Sequence, residues 1–61
     1  MMIEGIEPTK ADIGRSVIYH SYSGKVESGF ITSFNDRFVF VRYDTGSTSQ
    51  ATRRDMLEWA S

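Results

Sequence analysis

Apolar and polar residues alternate in short runs along this chain, with the period of a strand rather than of a helix. The densest run lies around Asn35-Asp36. Phe30-Ile31-Thr32-Ser33-Phe34 precedes the pair and Phe38-Val39-Phe40-Val41-Arg42-Tyr43 follows it. Both halves are rich in β-branched and aromatic residues, whose shapes suit a pleated, half-buried surface. Asn and Asp tolerate positive φ, so the pair predicts a tight hairpin turn of two residues. The strand before the turn starts at about Lys25. Strict alternation places Val26, Ser28, Phe30, Thr32 and Phe34 on one face, and Glu27, Gly29, Ile31 and Ser33 on the other. Gly29 marks a bulge or sharp bend, and a bulge there swaps the faces on one side of it. The return strand is apolar on both faces, with Phe38 and Phe40 on one and Val39, Val41 and Tyr43 on the other. One face must form the core. The second is covered by the terminal segments or left for a partner.

Shorter signals flank this hairpin. Ser16-Val17-Ile18-Tyr19-His20 reads as a strand, with Val17 and Tyr19 on one face and Ile18 and His20 on the other. Ser21-Tyr22-Ser23-Gly24 is a connecting loop by composition. After the polar turn Asp44-Thr45-Gly46-Ser47-Thr48, Ser49-Gln50-Ala51-Thr52 forms a fourth strand. Thr9 and Asp12 have capping-box spacing and Gly14 supplies a left-handed stop, which predicts a single helical turn. Thr52 and Asp55 repeat that spacing, so Thr52 is expected to accept from the backbone of a second turn. Met56, Trp59 and Ala60 fit helical spacing, yet Leu57-Glu58-Trp59 alternates as a closing strand does. The reading adopted is a helical turn followed by a short strand. Residues 1–8 are expected to fray, with Ile3 and Ile6 placed against the core or a partner.

These elements make an all-β fold: a small, partly open barrel of four to five antiparallel strands, with a short helical turn before the last. A length of 61 residues allows one domain, spanning 1–61, of marginal stability. The chain has no cysteine, so neither a disulfide nor a thiolate metal site supports the fold. Its apolar runs fall short of a membrane span, and Glu4 and Glu7 stand where a signal peptide carries positive charge. The expected location is the cytoplasm.

Charge changes the picture only locally. The net value is −1 and the pI about 5.6, which disfavours a general DNA-coating protein. Residues 37–54 nevertheless carry Arg37, Arg42, Arg53 and Arg54 against Asp44 alone. That stretch either binds phosphates or is a solvated face whose arginines pair with Asp44, Asp55 and Glu58. No catalytic constellation is visible. The single histidine, His20, has no evident partner, no phosphate-binding glycine motif appears, and no cluster of metal ligands is spaced along the chain. The chain is therefore expected to be non-enzymatic, without cofactor, metal or small-molecule substrate, since a domain this small has little room for a pocket of several hundred cubic ångströms.

A resemblance narrows the fold. Gly14-Arg15-Ser16-Val17-Ile18-Tyr19, Gly29-Phe30-Ile31-Thr32-Ser33, Phe38-Val39-Phe40-Val41-Arg42-Tyr43 and Ala51-Thr52-Arg53-Arg54-Asp55-Met56-Leu57-Glu58-Trp59 resemble the strands of small SH3-like barrels such as Tudor and KOW domains. The layout G-R-x-V-x-Y, then F-V-F-V-R-Y, then A-T-R-x-D is also similar to that of short phage or prophage proteins. The match spans roughly residues 12–59 and implies a fold and a binding role, but no activity. Tudor domains hold methylated cations in aromatic cages, for which Tyr19, Tyr22, Phe40 and Tyr43 are the matching aromatics. KOW domains imply RNA or ribosomal and polymerase partners, drawing here on Arg42, Arg53 and Arg54 with Phe38 or Tyr22 to stack on bases. The binding residues expected are thus Tyr22, Phe38, Phe40, Arg42, Arg53 and Arg54. The function expected is a protein-interaction adaptor or regulator, with a protein partner or a second copy. The alternative is a nucleic-acid-binding barrel.

Overall fold

A computed structural model describes residues 5–44 and 46–60, and shows an all-β chain of five strands. These are β1 (Ser16–His20), β2 (Val26–Phe34), β3 (Val39–Tyr43), β4 (Ser49–Thr52) and β5 (Leu57–Trp59). All pairs are antiparallel, and the order across the single sheet is β4-β3-β2-β1-β5. Two 3-10 turns, Lys10–Asp12 and Arg54–Met56, are the helical segments among the described residues. Among the described residues no helix is long and apolar enough to cross a membrane.

The inner face of the sheet makes the core. Val17 of β1, Ile31 of β2, Val39 and Val41 of β3 and Leu57 of β5 are fully buried, with Ile6 and Tyr43 nearly so. Tyr19, Phe34 and Trp59 pack against this cluster from its margins. The return strand therefore turns Val39, Val41 and Tyr43 inward, leaving Phe38 and Phe40 outside. The tail that follows does not cover them, because Leu57–Trp59 pairs with β1 and sends Leu57 into the core.

Two features of β2 allow one strand to serve both halves of the sheet. Gly29 pairs with Val17 on one side and Tyr43 on the other. A β-carbon there would lie 2.6 Å from the Arg42 carbonyl oxygen and 2.8 Å from Val41 Cγ1, so only glycine permits this approach. The bulge expected at Gly29 lies instead at Thr32: Ile31 pairs with Val41, and the next pair is Ser33 with Phe40. The Thr32 hydroxyl makes this possible. It donates to the Phe40 carbonyl at 3.1 Å and meets Ser49 Oγ at 2.7 Å, occupying polar groups that the interrupted ladder leaves over. The extra residue moves Phe34 to the core side, opposite Val39, and away from the face it was expected to share with Phe30.

The connection between β2 and β3 also departs from expectation. It spans residues 35–38, and no non-glycine residue among those described has positive φ. Asn35 Oδ1 accepts from the backbone N–H groups of Arg37 and Phe38, both at 2.8 Å, while the Asn35 N–H donates to Phe38 O. A side-chain acceptor thus replaces the left-handed backbone of a two-residue turn.

The first helical turn follows its sequence signal: the Asp12 carboxylate accepts from the Thr9 N–H and hydroxyl, and Gly14 has φ +95°. Asp12 also pairs with Arg15 at 2.9 Å. These contacts, the Thr9 N–H first, hold its carboxyl below the usual carboxylate range. The second signal fails. Thr52 ends β4 and does not cap the Arg54–Met56 turn, because its hydroxyl is drawn inward to Tyr43 and to the Gln50 carbonyl. Of the segment expected to fray, residues 1–4, Ile3 included, lie outside the described residues. Ile6 is buried, and its N–H donates to Arg54 O at 3.2 Å. The Arg54 guanidinium meanwhile donates to the carbonyls of Asn35 and Asp36, which ties the β2–β3 turn to the segment before β5.

Candidate binding cleft

Hairpin geometry brings together residues that are far apart in sequence. The 21–25 turn is closed by Ser21 N–H to Lys25 O at 3.0 Å and Lys25 N–H to Ser21 Oγ at 3.1 Å. It sets His20 opposite Val26, and hence Tyr19 directly opposite Glu27. Tyr43 ends β3 beside them, its ring 5.8 Å from that of Tyr19 in an edge-to-face arrangement at 62°. Gln50, Ala51 and Thr52 of β4, then Arg53 and Met56, form the opposite wall. The result is an open cleft of about 390 Å³. That volume overturns the expectation that a domain this small has no room for such a depression.

The floor of the cleft is polar and ordered. Thr52 is buried, and its hydroxyl donates to Gln50 O at 3.2 Å, which leaves it to accept from the Tyr43 hydroxyl at 2.7 Å. Burial pushes the Tyr43 phenol above its usual range; the Thr52 hydrogen bond opposes this, and the negative forms of Tyr19 and Glu27 add to it. A phenol whose folded pKa exceeds its unfolded value gives stability that is complete below about pH 10 and lost as pH rises through the folded value. Tyr43→Phe is accordingly expected to cost about 1 kcal/mol at pH 7, through the lost hydrogen bond. Its stability should then fall less than that of the parent between pH 9 and 12. Urea midpoints measured across that range test the point, and parallel losses in the two proteins would refute it.

The charges of the cleft are unequal. Arg53 pairs with Asp55, whose Oδ2 lies 2.7 Å from its Nη2, with both side chains more than half exposed. Glu27 is exposed and has no ion-pair partner among the described residues. A carboxylate beside two tyrosine rings, with no ion-pair partner among the described residues, suits a positively charged side chain from outside.

Of the six binding residues expected from sequence only Arg53 lies in this cleft, with Tyr19 and Tyr43 of the aromatics matched to a Tudor cage. Tyr22 stands alone at the tip of its loop, 89% exposed. Phe40 and Arg42 lie on the outer face of β3, with Phe38 at its start and Phe30 paired beside Arg42. Phe30 and Phe38 each keep more than a third of their surface in solvent, at 39% and 37%. Arg54 serves the backbone of the 35–36 turn. The four aromatics implied by the Tudor resemblance are thus divided: Tyr19 and Tyr43 meet, while Tyr22 and Phe40 are elsewhere. Glu27 was missed in the sequence, because a loop of residues 21–24 would set Val26 opposite Tyr19, whereas the observed closure between His20 and Val26 puts Glu27 there. His20 does have a partner, Glu58, whose Oε1 lies 2.5 Å from its Nε2 across the β1–β5 pair. Among the described residues no group of His, Cys, Asp and Glu side chains is arranged to hold a metal ion. No family model, curated protein or solved structure matches the chain.

Proposed function

We propose that this chain is a non-enzymatic protein-interaction module of SH3-like architecture, and that it takes a cationic side chain of its partner into the Tyr19–Glu27–Tyr43 cleft. The observation that carries this reading is the uncompensated Glu27 carboxylate set against two tyrosine rings. The strand order β4-β3-β2-β1-β5, with a 3-10 turn leading into β5, supports the SH3-like assignment. A single cation on aromatic rings contributes about 0.5–2 kcal/mol, so the anchor is weak alone and depends on further contacts along the partner.

The test is a titration of the labelled protein with the blocked peptide Ac-Gly-Lys-Gly-amide and its norleucine counterpart, followed by amide and ring NMR shifts. Lysine-dependent shifts are expected at Tyr19, Glu27 and Tyr43, with Glu27→Gln weakening the effect roughly fivefold, a loss of about 1 kcal/mol. Equal responses to the two peptides, or an unchanged response in Glu27→Gln, would refute the reading.

A second reading, binding of single-stranded nucleic acid, draws on Phe30, Phe38 and Phe40 around the exposed Arg42 of the outer face. It stands second because Arg53 and Arg54, half of the basic stretch, are already engaged by Asp55 and by the carbonyls of residues 35 and 36. It requires a labelled oligonucleotide to bind at low salt and Arg42→Ala to flatten the salt dependence.

A further inference from the structure

We infer that the partner segment enters as an added strand along the free edge of β4, extended, with its cationic side chain on the cleft side; this rests on the cleft reading above. The two edges of the sheet differ. β5 is three residues long, Glu58 on it is held by His20, and the Arg15 guanidinium lies 4.0 Å from the centre of the Trp59 ring. Shortness and flanking charge are the usual protections of an edge against pairing with another chain. β4 has neither. Ser49, Gln50, Ala51 and Thr52 pair with β3 in an unbroken register, carry no charge and no proline, and are exposed apart from Thr52. An edge strand of this kind presents alternate backbone N–H and C=O groups to whatever lies beside it.

Position joins this edge to the cleft. Gln50, Ala51 and Thr52 are at once the edge and one wall of the cleft, so a strand laid along them borders it. Side chains of an extended chain alternate between the faces of a sheet, so every second side chain of the added strand faces the cleft. Glu27 selects what that side chain must be. A second copy pairing through its own β4 would bring Ser49, Gln50, Ala51 and Thr52, none of them cationic, followed by Arg53 and Arg54, which its own Asp55 and its own 35–36 carbonyls already hold. A foreign segment with lysine or arginine at the inward position satisfies both the backbone and the carboxylate.

The probe is Ac-Thr-Val-Lys-Val-Thr-amide, with three variants: lysine replaced by norleucine, N-methyl groups on both valines, and an N-methyl group on the lysine. Alternate peptide N–H groups face β4 in an added strand, so one of the two N-methylated peptides should bind at least tenfold more weakly and the other about as well as the parent. Amides of residues 49–52 should gain protection from exchange when the parent peptide is bound. Binding that is lysine-dependent but indifferent to both N-methylations overturns strand addition and leaves the cleft reading standing. Loss with both N-methylated peptides contradicts the alternation and also overturns it. Norleucine binding as well as lysine refutes the cleft reading, and this inference with it. A dimer in sedimentation without peptide, with residues 49–52 already protected, would show the edge to be occupied by a second copy and would overturn the proposal.

Discussion

Gly29→Ala is expected to destabilise the domain by roughly 3 kcal/mol, near the upper end of the cost of overpacking a filled core. Two effects oppose each other at this position. Alanine restricts the unfolded chain, and where the native backbone accommodates it this favours folding by about 0.4–1 kcal/mol. The added methyl, however, would lie 2.6 Å from the Arg42 carbonyl oxygen and 2.8 Å from Val41 Cγ1. Neither neighbour can give way cheaply, since the carbonyl belongs to a residue paired on both sides and Val41 is fully buried. The steric term therefore wins. A chain of this length has a total stability of roughly 3–9 kcal/mol at typical values per residue, so the loss is a large share of it. At about 4–8 °C per kcal/mol, the midpoint of thermal unfolding should fall by more than 10 °C. Ser28→Ala, one residue away and exposed, should stay within about 0.5 kcal/mol and serves as the control. A Gly29→Ala protein that melts with the parent would show that β2 and β3 do not approach as closely as the register requires.

Gly29 also shows how far the sequence could be read. β-Branched content located β1, the polar turn before it located β4, and alternation located β5, all at their observed bounds, because those signals are local. The glycine was recognised as special, but its reason lies in a neighbour: the requirement is space beneath Arg42, which only the β2–β3 register defines. Thr32 carries no local mark of a bulge, since what selects it is the reach of its hydroxyl to Phe40 O and Ser49 Oγ, one strand and two strands away. Thr52 misled for a related reason. Its spacing from Asp55 fits a helix cap, yet the pull of the buried Tyr43 hydroxyl decides where it points. The cleft divides in the same way. Its tyrosines were legible as aromatics, and pairing of an arginine with Asp55 was one of the two readings of the basic stretch, whereas the pairing of Glu27 with Tyr19 needed the closure of the 21–25 turn.

Leu57→Ala should be the most damaging truncation in the C-terminal segment, at about 2–5 kcal/mol, the range for removing a buried leucine side chain. β5 has only three residues and pairs with β1 alone, so its attachment depends on what it buries. Leu57 is fully buried and sits opposite Tyr19, whereas Trp59 is half-buried and shares its surface with Arg15. Trp59→Ala should accordingly cost less than Leu57→Ala, although tryptophan is the larger side chain. Ile6 belongs to the same buried cluster, and the turn preceding Leu57 accepts the Ile6 N–H at Arg54 O. A cavity at Leu57 therefore removes part of what Ile6 packs against, and the two truncations should not add. In a double-mutant cycle read by urea unfolding, Ile6→Ala in the Leu57→Ala background should cost at least about 0.5 kcal/mol less than in the parent. If the doubly truncated chain is too unstable to measure, Ile6→Val with Leu57→Val gives the same cycle at smaller amplitude. Strict additivity would mean that residues 5–8 pack independently of β5, and that the closing strand is held by its backbone pairing with β1 rather than by the core.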